Sequence, residues 1–199
     1  MKIGILGGTF DPVHFGHLSI AKQALKELSL DKLIVVPAKL QPFKLDVPIT
    51  IGKHRLKMLK LAFEGLERVN VSDYELNQNE VSYTINTLNA FKKKYPDSEI
   101  WFLLGTDSFL KIEIWKNAKD LLSQFNLIVG VRPGYKEEEL ENQIEHLEKT
   151  YRTKIYKLNN ERLDISSTDI KKEISQGKPI NELVPLAVER YITEYALYK

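Results

Sequence analysis

The sequence predicts an α/β fold in which a parallel β-sheet is covered by helices. Short apolar runs of the kind found in buried strands alternate along the chain with segments whose apolar residues recur at helical spacing. A strand, a glycine-rich turn and a helix also follow one another directly at the N-terminus, which is the layout of a dinucleotide-binding fold. We therefore expect a Rossmann-like, doubly wound parallel sheet with helices on both faces and a C-terminal helical segment.

Six apolar runs are predicted to be strands. They cover Lys2–Leu6, Leu33–Val36, Val69–Val71, Ile100–Leu104, Leu127–Val131 and Ile155–Leu158. Pro37 stops the second run because proline cannot donate a hydrogen bond to a neighbouring strand, and Gly105 ends the fourth. In folds of this class the ligands bind beyond the carboxyl ends of the strands. Functional residues are therefore expected in the segments that follow these runs.

Apolar residues at helical spacing predict the helices between the strands. The segments are 18–28, 56–63, 85–91, Ala118–Leu122, Lys136–Tyr151, Asp169–Ser175 and Pro185–Tyr198. Thr50 and Ser82 are predicted to cap the second and third of these helices, since a side-chain oxygen there can accept from a free N–H group. Pro96 ends the third helix. A loop rich in proline and lysine is expected from Ala38 to about Ile49.

Composition favours one ordinary soluble domain. The chain has 199 residues, 43% hydrophobic and 28% charged, which suits a single domain over residues 1–199. A net charge of +2 is too small to favour nucleic acid or a membrane as the main partner. With no cysteine, disulfides and cysteine-bound metals are excluded. Without an apolar run of about 20 residues or a signal peptide, a cytoplasmic protein is expected, and a homo-oligomer is compatible with the sequence.

The segment after the first strand has the chemistry of an anion site. Gly7 and Gly8 allow backbone N–H groups to approach an anion closely, and Thr9 adds a hydroxyl. His14 and His17 are three residues apart, so both imidazoles can face one site on a first helical turn. An imidazole N–H can donate to a phosphate oxygen. The pattern matches neither a P-loop nor Gly-x-Gly-x-x-Gly, and a zinc site in which Asp11 joins the histidines stays open as an alternative.

A second anion site is predicted near the C-terminus. Ser166, Ser167 and Thr168 form a hydroxyl cluster before a predicted helix, and Lys171 follows inside that helix. Free N–H groups and hydroxyls at a helix start can bind an anion, although the same residues also suit a plain helix cap.

Both segments resemble those of a known family. The run Gly8–His17 resembles the signature of the HxGH nucleotidylyltransferase superfamily, and with Gly7 it resembles the longer form found in bacterial nicotinate mononucleotide adenylyltransferases, enzymes of NAD biosynthesis. The Ser166–Lys171 segment resembles the superfamily motif Ser-Ser-Thr-x-Ile-Arg, with lysine in place of arginine. The resemblance implies a set of ATP-binding residues: Gly7, Gly8, Thr9, Phe10, His14, His17, Ser166, Ser167, Thr168, Ile170 and Lys171.

Further stretches resemble the acceptor side of the same family. The Pro37–Lys44 loop resembles its Pro-x-x-x-x-Pro-Pro-His-Lys loop, with Phe43 in place of the histidine. Trp115 resembles an aromatic residue that stacks on the pyridine ring, and Lys116 stands where an aromatic residue is frequent. The resemblance implies that His14, His17 and Lys44 act in catalysis. It assigns the acceptor nucleotide to Lys44, Arg55, Thr84, Gly105, Asp107 and Trp115, with Thr84 receiving the nicotinate carboxylate.

The implied reaction transfers AMP from ATP to nicotinate mononucleotide and releases nicotinate adenine dinucleotide and pyrophosphate. Direct attack by the acceptor phosphate needs no covalent intermediate, and Mg²⁺ is expected to be carried by ATP, with no metal site on the protein. The alternatives are another acceptor (nicotinamide mononucleotide or phosphopantetheine), a non-catalytic nucleotide-binding regulator, and metal-dependent hydrolysis.

Overall fold

The core of the computed structural model, which describes residues 1–40, 42, 48–79, 81–131, 133–159 and 163–199, is a parallel sheet. Its strands are β1 (Lys2–Gly8), β2 (Lys32–Pro37), β3 (Val69–Val71), β4 (Glu99–Gly105), β5 (Asn126–Gly130) and β6 (Ile155–Lys157). The strand order is β3-β2-β1-β4-β5-β6, and every neighbouring pair is parallel. The six predicted strands are therefore confirmed close to their predicted bounds.

The helices are α1 (Phe15–Glu27), α2 (Gly52–Ala62), α3 (Thr84–Lys94), α4 (Thr106–Phe109), α5 (Ala118–Gln124), α6 (Glu137–Tyr151), α7 (Ser167–Ser175) and α8 (Leu186–Glu194), with 3-10 helices at Glu75–Asn77 and Ile112–Ile114. The last helix ends at Glu194, before Tyr198, whose hydroxyl donates to the Asp11 carboxylate. Within the described ranges, no helix combines the length and apolarity needed to cross a membrane.

The two predicted helix caps are wrong. α2 begins at Gly52 with Ile51 at its N-cap, and the backbone N–H of Thr50 donates to the Asp11 carboxylate instead, at 3.3 Å. α3 begins at Thr84, and the Ser82 hydroxyl accepts from the backbone N–H of Lys39, at 2.9 Å. The Thr50 N–H and the Ser82 hydroxyl thus each form a hydrogen bond with a segment that is distant in the chain. The local sequence pattern does not reveal such contacts.

Alternate residues of each strand face opposite sides of the sheet, and helices cover both sides. Leu6, Val35 and Leu103 pack with α1, α2, α7 and α8 on one face. Ile5 and Phe102 pack with α3, α5 and α6 on the other. This arrangement confirms the doubly wound class and leaves the strand ends open at the edge where the loops gather.

Candidate active site

A cavity of about 690 Å³ lies at the carboxyl ends of β1 and β4. The strand order reverses between these two strands, because β1 leads outward to β2 and β3 whereas β4 leads to β5 and β6. Doubly wound sheets bind ligands in the crevice at this point. Most of the predicted site residues line the same cavity, so the sequence pattern and the topology point to one place.

The two histidines form one end of the cavity. His14 is the N-cap residue of α1 and is buried, and its ring centroid lies 3.8 Å from that of His17. The His17 Nδ1 atom accepts a hydrogen bond from the backbone N–H of His14, at 3.3 Å. In this geometry Nδ1 carries no proton, which leaves Nε2–H as the donor of the His17 ring. The predicted pairing of these imidazoles in one site is confirmed.

Two glycines make room for aromatic rings in this segment. A Cβ atom on Gly8 would lie 3.0 Å from Cζ of Phe10, a buried residue with a left-handed φ of 50°. A Cβ atom on Gly16 would lie 3.0 Å from both Cε1 and Nδ1 of His14. These distances are shorter than ordinary van der Waals contact, so the absence of side chains at both positions sets where the Phe10 and His14 rings lie.

The N-terminus of α7 forms the wall beside the histidines. Ser166 is its N-cap and accepts from the backbone N–H of Asp169, at 3.1 Å. The Ser167 hydroxyl donates to the carbonyl oxygen of Pro12, at 2.9 Å, which ties α7 to the loop before α1. Thr168 is exposed and lines the cavity together with both serines. The two predicted anion-binding segments therefore lie side by side.

Two residues predicted to bind ATP point elsewhere. Ile170 is fully buried in the core, and its N–H donates to the carbonyl of Ser166 inside α7. Lys171 Nζ donates to Oδ2 of Asp11 at 2.6 Å, and neither residue lines the cavity. Helical periodicity turns the Ile170 side chain inward, and the buried carboxylate of Asp11 holds the ammonium group of Lys171. The contacts of both residues with ATP stay predictions.

Asp11 connects four parts of the chain. Its carboxylate is only 4% exposed and accepts from Lys171, from the hydroxyl of Tyr198 at 2.6 Å and from the backbone N–H of Thr50. Burial alone would raise its pKa, but the hydrogen bonds from Lys171, Tyr198 and Thr50 together hold the pKa below its ordinary value. Because its oxygens face these partners, Asp11 is not a third zinc ligand beside the histidines.

Arg55 lies behind the glycine-rich segment and does not line the cavity. It is buried, with Nη1 donating to the Thr9 carbonyl at 2.7 Å and Nε to the Thr50 carbonyl at 2.8 Å. Its side chain thus holds the backbone of the glycine-rich segment at Thr9. Because Arg55 does not line the cavity, the structure gives no support to its predicted contact with the acceptor. Lys44 and Phe43 lie outside the described residues, so their predicted roles stay predictions.

The other end of the cavity is lined by Thr84, Gly105, Asp107 and Trp115, as predicted for the acceptor side. Thr84 is the first residue of α3, and Gly105 is the N-cap of the short α4. Trp115 packs edge-on against Phe102, with ring centroids 6.0 Å apart. Trp115 and Thr84 therefore belong to the same cavity as the histidines, at its opposite end.

The N-terminus of α3 favours an anion. Its N-cap residue Tyr83 provides no side-chain cap, no acidic residue occurs in its first turn, and Lys92, Lys93 and Lys94 occupy its last turn. The lysines complement the negative end of the helix dipole. The first turn of α3 holds no acidic residue that would compensate the positive end. That positive end lies at the cavity beside Thr84.

Glu75 is a site residue that the sequence pattern did not indicate. It lines the cavity, is 7% exposed, and accepts from the Thr87 hydroxyl at 2.6 Å. Burial raises the pKa of Glu75, although hydrogen bonds from Thr87 and Ser82 partly oppose this. Glu75 thereby joins α3 to the loop that carries Ser82. An isolated glutamate in a polar stretch of sequence gives no signal. A glutamate whose pKa is raised by burial among Ser and Thr side chains is recognised only in the folded structure.

The fold and the paired-histidine site define a class, an α/β nucleotidyltransferase. The family model described as cytidylyltransferase-like matches residues 5–173. A relative from Thermoanaerobacter sp. (strain X514), named a probable nicotinate-nucleotide adenylyltransferase, is 40% identical and covers 100% of this chain and 95% of its own length. A relative of the same name from Clostridium botulinum (strain Eklund 17B / Type B) is 42% identical, with coverages of 100% and 98%. The chain belongs to the cytidylyltransferase-like family and, within it, to the nicotinate-nucleotide adenylyltransferases, which confirms the resemblance.

Solved structures share the fold. The nicotinic acid mononucleotide adenylyltransferase of Plasmodium falciparum, complexed with APC, superposes with a TM-score of 0.82 at 22% identity and covers 99% of this chain and 96% of its own. The same enzyme complexed with NaAD gives a TM-score of 0.80 at 24% identity, with coverages of 99% and 97%. At these identities the likeness establishes the architecture.

Replacing Gly16 by alanine should separate ligand binding from stability. The new Cβ must push the His14 ring by a few tenths of an ångström, so we expect the affinity for ATP to fall roughly tenfold. The free energy of unfolding should be unchanged or higher, because alanine lowers the entropy of the unfolded chain. Calorimetric titration and denaturant unfolding measure the two quantities. Ser19→Ala on the same helix, outside the cavity lining, is the control; an unchanged ATP affinity in Gly16→Ala would refute this role of Gly16.

Replacing Asp11 by asparagine should lower the free energy of unfolding at pH 7 by about 1–3 kcal/mol, since charge-assisted hydrogen bonds to Lys171 and Tyr198 are weakened. The pKa of Asp11 is lowered by folding, so its stabilisation is present above the unfolded value of about 3.9 and is lost as the pH falls through the folded value. The difference between the wild type and Asp11→Asn should therefore shrink below about pH 4.

Denaturant unfolding of both proteins across this pH range checks the prediction. Asp97→Asn is the matched control, because Asp97 is exposed. A difference between the wild type and Asp11→Asn that stays constant from pH 7 to pH 3 would mean that the charge on Asp11 does not stabilise the fold.

Proposed function

We propose that this protein transfers AMP from ATP to nicotinate mononucleotide, giving nicotinate adenine dinucleotide and pyrophosphate in NAD biosynthesis. One observation carries the proposal: a single cavity joins the histidines and the start of α7 at one end to Thr84 and Trp115 at the other. Two substrates bound at these ends would face each other across the switch point of the sheet. The names of the two relatives, which share about two fifths of their residues with this chain, support the same reaction.

The histidine end suits a triphosphate. It combines the Nε2–H of His17, the hydroxyl of Thr168, and the N-terminal ends of α1 and α7. Each of these groups is a hydrogen-bond donor or the positive end of a helix dipole, and both favour phosphate oxygens. Since the first turn of α1 holds no acidic residue, no side-chain charge in that turn offsets its positive end.

The opposite end suits an acidic aromatic acceptor. The positive end of α3 at Thr84 favours a carboxylate over a neutral carboxamide. Trp115, fixed edge-on by Phe102, lines the same region and supplies an aromatic surface for the pyridine ring. Phosphopantetheine, which has neither an aromatic ring nor a carboxylate, would use neither feature. These groups therefore favour nicotinate mononucleotide over the alternative acceptors.

The chemical step is a direct displacement at the α-phosphorus of ATP. An oxygen of the acceptor's phosphate forms a bond to that phosphorus, while the bond to the oxygen bridging the α- and β-phosphates breaks and its electron pair leaves with pyrophosphate. A phosphate monoester is already ionised near neutral pH, so no protein base is required. The protein's part is to align two polyanions and to stabilise the charge that builds on the leaving group, for which His14 and His17 are placed.

Mg²⁺ carried by ATP belongs to the proposal. The phosphate end is rich in hydroxyl, imidazole and backbone N–H donors, which fit phosphate oxygens, and the described residues include no group of three or more His, Cys, Asp or Glu side chains able to hold a metal ion. Mg²⁺ commonly binds through substrate oxygens with few protein ligands. When bound it neutralises charge on the triphosphate. The same residues give no support to metal-dependent hydrolysis.

Pyrophosphate release tests the proposal. ATP and Mg²⁺ are supplied with nicotinate mononucleotide, with nicotinamide mononucleotide, or with no acceptor. We expect rapid release with the acid acceptor, slower release with the amide, and little release without an acceptor. Replacing His17 by alanine should lower kcat by about 100-fold or more, since it removes a donor aimed at developing charge.

His54→Ala is the matched control, because His54 lies on α2, bonds to Tyr191 and does not line the cavity. Binding of ATP without release for any acceptor would favour a nucleotide-binding regulator. Release without an acceptor would favour hydrolysis, and a preference for the amide would overturn the assignment of nicotinate. A labelled adenylyl group covalently retained on the protein would contradict direct displacement.

A further inference from the structure

Tyr198 is bound to the phosphate end of the cavity, although it does not line the cavity itself. Its hydroxyl donates to Oδ1 of Asp11 at 2.6 Å, and its ring centroid lies 5.4 Å from Nζ of Lys171, which holds Oδ2 of the same carboxylate. Burial raises the pKa of Tyr198, and the hydrogen bond to the Asp11 carboxylate raises it further. The hydroxyl therefore keeps its proton near neutral pH and stays a donor to Asp11.

The backbone after α8 turns back in a conformation that side chains rarely adopt. Ala196 follows the C-cap of α8 with a φ of 49°, and the N–H of Leu197 donates to the carbonyl of Ile192 at 3.0 Å. This is the hydrogen-bond pattern of a helix end at which glycine is usual. Tyr198 is left-handed as well, with a φ of 66°. Left-handed residues other than glycine are unfavourable, and the contacts of residues 197 and 198 with the core and with Asp11 offset this cost.

Asp11 stands between two parts of the phosphate end. The residue before it, Phe10, packs edge-on against His17, with ring centroids 4.9 Å apart. The carbonyl of the residue after it, Pro12, accepts from the Ser167 hydroxyl at the start of α7 at 2.9 Å. The position of Asp11 therefore sets both the imidazole of His17 and the first turn of α7, and a shift of its carboxylate is transmitted to both.

We propose that Tyr198 is a positioning residue of the nucleotide site, whose hydroxyl holds Asp11 and thereby keeps His17 and the start of α7 aligned for the triphosphate. The inference rests on the proposed function only for the identity of the nucleotide. Thr84 and Trp115, at the opposite end of the cavity, belong to α3 and to the turn before α5. Loss of the Tyr198 hydroxyl therefore weakens the binding of ATP and leaves the binding of the acceptor unchanged.

The test removes the hydroxyl and keeps the ring, in Tyr198→Phe. Tyr195→Phe is the matched control, since Tyr195 is an exposed tyrosine of the same segment that does not line the cavity. Titration calorimetry gives the dissociation constant of ATP with Mg²⁺, and pyrophosphate release gives kcat and the KM of each substrate. We expect Tyr198→Phe to raise the dissociation constant and the KM of ATP about tenfold, as for the loss of one hydrogen bond to a charged group. The KM of nicotinate mononucleotide should not change, and Tyr195→Phe should change none of these values.

Denaturant unfolding of the same variants separates positioning from a purely structural role. A structural role would lower the free energy of unfolding and, through the unfolded fraction, kcat, without raising the KM of ATP. A Tyr198→Phe protein that is less stable but binds ATP as tightly as the wild type would therefore overturn the proposal. Equal rises in the KM of both substrates would overturn it as well, because the whole cavity would then be disturbed.

A double-mutant cycle shows whether the effect passes through Asp11. In Asp11→Ala the carboxylate is absent, so the further change Tyr198→Phe should alter the affinity for ATP little. Full, independent losses from the two changes would overturn the proposal. If Asp11→Ala does not fold, the comparison of Tyr198→Phe with Tyr195→Phe decides.

The calorimetric titration needs neither acceptor nor turnover. A protein whose affinity for ATP depends on the Tyr198 hydroxyl, but which releases no pyrophosphate with any acceptor, would contradict the proposed function and leave this inference standing.

Discussion

The site depends on one buried carboxylate. Asp11 stands between the glycine-rich turn and the first helix, and it binds Lys171 on α7, Tyr198 near the C-terminus and the backbone before α2. These partners come from segments separated by up to 187 residues in the chain. Because a buried carboxylate without partners is strongly unfavourable, the three segments are drawn together around it. The phosphate-binding wall of the cavity is a consequence of this arrangement.

Around that constraint, the backbone of the cavity wall is held from behind by side chains that belong to other segments. Arg55 holds the carbonyl of Thr9 from behind, and Ser167 holds that of Pro12. The charged side chains Lys171 and Arg55 therefore act on the backbone and on Asp11, while hydroxyls and imidazoles face the cavity. Such a division keeps the donors fixed before the substrate arrives, which is the condition for electrostatic catalysis without reorganisation.

The sequence predicted the architecture and the contacts that follow from local pattern. Six strands, the pairing of His14 with His17 and the hydroxyl-rich start of α7 could all be inferred, because each depends on residues close in the chain. The contacts that the sequence did not reveal share one cause. Lys171, Thr50 and Ser82 each bind a group that is remote in sequence, and Ile170 follows the core-facing periodicity of its helix. Tyr198 and Glu75 were missed for the same reason, since their partners are brought near only by the fold.

The central claim is that one cavity holds the nucleotide phosphates at His14 and His17 and the acceptor's pyridine ring at Trp115. A crystal structure with nicotinate adenine dinucleotide bound tests it most directly. We expect the pyridine carboxylate to lie at the start of α3, with the ring against Trp115 and the pyrophosphate near His17. A dinucleotide bound in the reverse orientation, or in another part of the molecule, would contradict it.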